Sequence, residues 1–288
     1  MTGIRTEYST LVGKRDIIFP DFQQLQKESA LELYERLRAD LEQARISCVI
    51  DIGCGTGEIL FSLAQQIELS GHKFDNKITL VGLDVNKKSI NAANKLAGKD
   101  SQRRVSLAFF CVAPDAMLLD EFEAIVRKQN RSVAYDEIAV ICTGHTFFHL
   151  HYLPRLFAVL GADAGRRPKT WVIDVYDSLG KILKELPAGE HLERRSERNV
   201  LGQKVEYFLY TRQGPAGSHR LERGIYEMAG GSNGGRREVI STSQLDWSEE
   251  ELERNFLLVG YSLTKKGVVD TGYGKMSRLS FTRNSSAF

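Results

Sequence analysis

The sequence predicts an α/β protein built on a doubly wound, mostly parallel seven-stranded sheet, with helices ahead of the sheet and an antiparallel β insertion late in the chain. Three observations predict it. Residues 48–60 read CVIDIGCGTGEIL, an apolar run ending in an acid, then a glycine turn, then a helical pattern, which is the opening βα unit of a nucleotide-binding sheet. Five short apolar runs alternate with segments of helical period between residues 46 and 175, and that alternation implies right-handed crossovers. After residue 200 the period changes from 3.6 to 2, and a helix and two strands follow.

Residues 1–20 show no clear periodicity. Tyr8, Phe19 and Pro20 stand among charges, as in a segment that lies across another surface or packs at its edge. From Asp21, a plausible N-cap after Pro20, Phe22, Leu25, Leu31, Leu33, Tyr34, Leu37 and Leu41 recur at helical spacing, giving one or two helices up to about residue 45. Strands are expected at about 46–52, 77–83, 104–111, 137–142 and 169–175. Helices are expected at 58–69, 86–98, about 116–129 and about 150–160. The charged run Glu190–Arg198 (EHLERRSER) reads as a solvated helix face. Lys204–Arg212 and Arg220–Met228 alternate as antiparallel strands, with a turn at 214–218. Arg237–Ser241 is a shorter third strand after the glycine-rich loop 230–235. Ser248 caps a helix with Glu251 in the capping-box position, and Tyr261–Lys265 and Met276–Thr282 close the sheet. The expected divisions are 1–45 (N-terminal helical or lid segment), 46–199 (core), 200–242 (β insertion) and 243–288 (the rest of the core sheet).

Composition narrows the class. The chain has 288 residues, 42% hydrophobic and 26% charged, with a net charge of +2, an ordinary globular balance. A near-neutral chain without a basic run gives no footprint for a nucleic-acid backbone. No apolar run approaches the roughly 18–20 residues that span a bilayer, and no signal peptide is visible among Arg5, Glu7, Lys14 and Arg15. Cys48, Cys54, Cys111 and Cys142 form no CxxC pair and read as reduced core residues. The expectation is a cytoplasmic protein with neither membrane nor nucleic acid as partner. The oligomeric state stays open, a homodimer included.

The loop chemistry selects the ligand. A dinucleotide fingerprint is G-x-G-x-x-G, whereas this loop is D-x-G-x-G-x-G from Asp51. An acid there repels a pyrophosphate and suits a ligand bearing an ammonium or sulfonium group. A second acid, Asp84, ends the strand Ile78–Asp84. The motif resembles the first motif of class I S-adenosylmethionine-dependent methyltransferases and matches it at every defining position. The resemblance covers roughly 45–175 and 243–283, the latter on element order alone. It implies a Rossmann-like methyltransferase fold, with S-adenosyl-L-methionine as cofactor and S-adenosyl-L-homocysteine as product. By the same resemblance Asp51, Gly53, Gly55 and Gly57 line the methionine and ribose portion, with Cys54 in the turn. Asp84 holds the ribose hydroxyls, Val85 packs on the adenine, and Asp115 contacts the adenine amino group, although Pro114 stands where a glycine is common. Thr143, at the end of the fourth strand, touches the methionine moiety, and residues 1–20 can cover the site.

Methyl transfer from a sulfonium is an in-line displacement that mainly requires alignment; a general base is needed only for a protonated acceptor. His145, His149 and His151 follow the fourth strand. His145 and His149 are the candidates to face the acceptor, since imidazole titrates near neutrality. Their H-x-x-x-H spacing leaves His151 off the shared helical face, and no metal is expected. Asp174, at the end of the fifth strand, is a candidate to orient an amine or hydroxyl. Tyr207, Phe208, Tyr210 and Tyr226 of the insertion either pack a core or build a substrate pocket. The resulting reading is methyl transfer to an O, N or C nucleophile of a small molecule, a metabolite or natural product. Two alternatives stand beside it: a protein or peptide side-chain methyltransferase, and a non-catalytic scaffolding module of the same fold.

Overall fold

The computed structural model describes residues 21–71, 77–98, 105–112, 133–143, 153–162, 165, 167–175, 190–200, 203–213, 220–229, 235–245, 248–270 and 275–284. In chain order these form α1 (Phe22–Glu42), β1 (Cys48–Ile52), α2 (Glu58–Leu69), β2 (Thr79–Asp84), α3 (Lys87–Ala97), β3 (Ser106–Cys111), β4 (Ile138–Cys142), α4 (Leu153–Ala162) and β5 (Thr170–Val175). Then come β6 (Glu190–Val200), β7 (Gln203–Gln213), β8 (Arg220–Ala229), β9 (Arg236–Leu245), α5 (Glu249–Leu258), β10 (Tyr261–Asp270) and β11 (Lys275–Arg283). The chain divides into two compact units, one around each of its two sheets.

The larger unit holds a seven-stranded sheet in the order β10-β11-β5-β4-β1-β2-β3. β1 pairs in parallel with β2 on one side and with β4 on the other, so the strand order reverses beside β1. Ligands of open α/β sheets bind outside the carboxyl ends of the strands at such a switch point. Asp51 and Thr143 flank it. The last strand, β11, enters antiparallel between β5 and β10.

Packing follows the apolar periodicity of the sequence. Leu33, Tyr34, Leu37 and Leu41 of α1 are buried in one cluster with Leu60, Leu63, Ala64 and Ile67 of α2 and Val49 and Leu80 of the strands. A buried leucine contributes about 1.5–3 kcal/mol, so α1 is part of the core. Between residues 22 and 42 there is one continuous helix. At the other end of the sheet, Phe256 of α5 stacks on Phe281 at 4.2 Å and meets Phe157 of α4 edge-on at 5.1 Å. These contacts fix the closing elements to the sheet.

The second unit holds an antiparallel sheet in the order β6-β7-β8-β9. Here the structure corrects the reading of Glu190–Arg198, which is strand and not helix. The physical reason lies across the ladder. Glu197 stands opposite Glu206, and two cations bridge that like-charged pair: Arg194 to Glu206 at 2.9 Å, and Lys204 to Glu197 at 2.9 Å. Charges on both faces hide the period of two. β9 also runs to Leu245, beyond the expected Ser241, because pairing with β8 carries a Ser/Thr-rich stretch that lacks apolar alternation. β10 likewise runs to Asp270 against β11. Tyr207, Tyr210 and Tyr226 are buried. Tyr210 stacks on Tyr226 at 4.2 Å and donates to Glu238 at 2.7 Å, both on other strands of the same sheet. Among the described residues, no helix is long and apolar enough to cross a membrane.

Candidate active site

The loop after β1 is shaped by its glycines. Gly53, Gly55 and Gly57 adopt φ of +77°, +57° and +85°, the left-handed region that costs other residues about 1–2 kcal/mol. Their surroundings separate their roles. A Cβ at Gly57 would lie 2.6 Å from the Phe109 ring, and one at Gly82 of β2 would lie 2.4 Å from it. Both are therefore glycines because Phe109 of β3 packs beneath the loop. A Cβ at Gly55 would meet nothing within 4 Å, so open space lies over that residue.

The loop amides do not point to an anion site. Gly53 N and Cys54 N donate to Leu83 O, and Gly57 N donates to Cys54 O. Gly55 N donates to Asp84 Oδ2 at 2.8 Å, and Asp84 Oδ1 accepts from Asn86 N at 2.7 Å. Asp84 thus clamps the loop while each oxygen keeps acceptor capacity. The helix cap beyond it is Asn86, which accepts from Lys88 N and Ser89 N.

The site is electrostatically acidic. Asp51 is 2% exposed at the end of β1, and among the described residues no group donates a hydrogen bond to its carboxyl. Burial, then the charges of Asp84 and Asp174, push its pKa up to about 8, against an opposing pull from Arg278. Burial also pushes Asp84 up, with the bonds from Asn86, Gly55 and Val85 opposing. Cys142, at the end of β4, feels both Asp51 and Asp174, and burial first of all raises its thiol far above the ordinary range. Cys54 is buried in the core beneath the loop, and its thiol is raised likewise by burial and then by Asp51.

Among the described residues one cation acts on this region, and its donors are spent elsewhere. Arg278 of β11 is opposite Asp174 of β5 in register, and both side chains are fully buried. Arg278 Nε donates to Asp174 Oδ1 at 2.6 Å and Nη2 to Oδ2 at 2.8 Å. Nη2 also donates to Ser29 Oγ at 2.7 Å, and Nη1 to Ser29 O at 3.0 Å and Glu32 Oε2 at 2.9 Å. All five N–H groups of the guanidinium have acceptors. Burial works against its charge, but Asp174 and Glu32 outweigh that and raise its pKa. The network ties α1 to the ends of β5 and β11. Arg36, paired with Glu32 and donating to Ser280 Oγ at 2.9 Å, extends it.

The structure brings Asp51, Gly53, Cys54, Gly55, Gly57, Asp84 and Val85 together at the ends of β1 and β2, with Thr143 half-buried after β4. Val85 is half-buried beside Cys111, whose Sγ lies 3.6 Å from Val85 O. Asp174 lies at the same edge, but Arg278 holds both of its oxygens, so it is a paired acid and not a free one. His145, His149 and Asp115 lie outside the described residues. Sequence reasoning missed Arg278, although an arginine at the middle of an otherwise buried strand was its signal. It also missed Phe109, whose ring sets two of the glycines.

Residues 47–130 match a family model described as a methyltransferase domain. Solved structures share the fold. The CcbJ methyltransferase of Streptomyces caelestis is 15% identical with a TM-score of 0.60, over 90% of each chain. Residues 47–130 thus carry a methyltransferase domain, within the Rossmann-like fold of S-adenosylmethionine-dependent methyltransferases. Two further structures align with this chain along nearly their full lengths. CalS10 of Micromonospora echinaspora, an amino pentose methyltransferase solved with S-adenosylmethionine bound, is 18% identical with a TM-score of 0.54, over 90% of this chain and 92% of its own. The magnesium protoporphyrin IX methyltransferase of Synechocystis PCC 6803, also solved with S-adenosylmethionine, is 14% identical with a TM-score of 0.53, over 98% and 95%. A search of curated proteins finds no significant sequence match.

Proposed function

We propose that this protein transfers a methyl group from S-adenosylmethionine to an O, N or C nucleophile of a small molecule. The observation that carries the reading is the acidic loop itself: a buried carboxyl, a second acid with spare acceptor capacity, and open space over Gly55. These features fit the cofactor. An anionic ligand would find loop amides already bonded and carboxyls facing it, whereas a cationic ligand with a diol finds acceptors. When bound, the cofactor supplies an electrophilic methyl on a sulfonium.

The residues then divide the work. Asp51 accepts the cationic end of the ligand. Asp84 takes the ribose hydroxyls on the lone pairs not used by Gly55 and Asn86. Val85 offers apolar contact to the base, with Asp115 toward the amino group. Thr143 borders the methionine end at the switch point. His145 and His149 are the candidates to accept a proton from the methyl acceptor. Asp174, held by Arg278, supports α1 and is not assigned proton transfer. The small-molecule class is favoured by likeness along whole chains to enzymes described as acting on an amino pentose and on a porphyrin.

The test is transfer of isotopically labelled methyl from S-adenosylmethionine to a panel of amino sugars, hydroxylated natural products and carboxylated tetrapyrroles, with a protein lysate as a parallel acceptor. Labelling of at least one small molecule, lost or shifted in pH profile in His145→Ala or His149→Ala, supports the reading. Labelling of protein alone would favour a side-chain methyltransferase.

A further inference from the structure

Among the described residues, the acids around Asp51 outnumber the cations. Asp84 faces it from the end of β2, Asp174 from β5 and Glu58 from the start of α2, and each raises its proton affinity. The Cys54 and Cys142 thiols, from the loop and β4, bring no positive charge. Among the described residues Arg278, from β11, is the cation that opposes them, and its five N–H groups are spent on Asp174, Ser29 and Glu32. A carboxylate buried this deeply, without a donor among the described residues, meets its charge deficit with a proton or with a cation.

Resting on the reading of this loop as the S-adenosylmethionine site, we infer that Asp51 exchanges its proton for the α-ammonium group of the ligand, so that cofactor capture releases one proton to solvent. The O–H bond of the Asp51 carboxyl breaks, the proton passes to buffer, and the carboxylate pairs with the ammonium; no other bond changes. The carboxyl's raised pKa, about 8, keeps it protonated at neutral pH before the ligand arrives. The ligand's own amine is charged there too, since an α-amino group titrates at about 7.7–8.0. Affinity therefore rises about tenfold per pH unit between roughly pH 5.5 and 7.5, as one proton leaves per ligand bound, and falls again above about pH 8, where the ligand's amine loses its charge.

The experiment is calorimetric titration of the whole protein at pH 6.5 with S-adenosylmethionine and with S-adenosylhomocysteine, in buffers of differing ionisation enthalpy. Both ligands carry the ammonium; only the first carries the sulfonium. The expected result is release of close to one proton with either ligand, and none in Asp51→Asn. As a readout that needs no variant, an aspartate carboxyl resonance titrating near pH 8 in the ligand-free protein should lose that midpoint on adding S-adenosylhomocysteine. Tight binding with buffer-independent heat, or release that persists in Asp51→Asn, would overturn the exchange while leaving the cofactor site intact. Release with S-adenosylmethionine alone would overturn the assignment to the ammonium. Absence of binding to the folded protein would instead overturn the reading on which the exchange rests.

Discussion

In the proposed site, Asp51 and Gly55 each give up stability for a ligand. An acid whose pKa is raised by folding keeps its proton in the fold while the unfolded chain releases it. Between about pH 4 and 8 the native state therefore binds more protons, and stability falls as pH rises. Asp51→Asn removes that dependence. In the absence of ligand its stability relative to wild type should grow by about 1 kcal/mol per pH unit from pH 5 to 8, measured by urea denaturation, while cofactor affinity drops. Equal pH slopes in the two proteins would show that Asp51 is ionised in the fold. Two glycines separate packing from binding. Gly57→Ala drives a Cβ into Phe109 and should lower stability by about 2–4 kcal/mol, combining backbone strain with overpacking. Gly55→Ala has only the backbone term, about 1 kcal/mol, yet it should weaken S-adenosylmethionine by well over tenfold. Thermal melts beside binding titrations distinguish the two.

At the scale of elements, the buried Asp174–Arg278 pair joins α1, β5 and β11. Removing one partner of such a pair strands the other in the core. Arg278→Met should cost about 3–5 kcal/mol in urea unfolding, with Asp174→Asn costing less because an amide leaves no buried charge of its own. A loss under 1 kcal/mol in Arg278→Met would mean that the network does not hold α1. This cross-strand pair was not legible in the sequence. Its residues are far apart in the chain, and Asp174 read alone as a free acid at a strand end suggested work on a substrate. The β6 strand was illegible for another reason: charges on both faces erase alternation, and only the bridges of Arg194 and Lys204 to Glu206 and Glu197 explain it. By contrast, β1, α2 and β2 were legible to within two residues, because a five-residue apolar strand bounded by Asp51 and three left-handed glycines has few other solutions.

Across the whole molecule, the succession of strands and helices in a mostly parallel sheet was readable from the sequence, and so was the edge on which Asp51, Asp84 and Thr143 gather; the spatial strand order was not. What made Phe109 and Gly82 important was not readable, because it depends on a ring from β3 reaching under a loop from β1. The central claim is that the carboxyl ends of β1 and β2 bind S-adenosylmethionine through Asp51 and Asp84. The most direct measurement is equilibrium titration of the wild-type protein with S-adenosylmethionine, beside Asp84→Ala with its fold checked by circular dichroism. The account predicts micromolar binding in the wild type and a loss of at least about 1–3 kcal/mol of binding free energy in the variant, as for a buried acceptor removed from its donors. No binding by the folded wild type, or binding unchanged in Asp84→Ala, would contradict it.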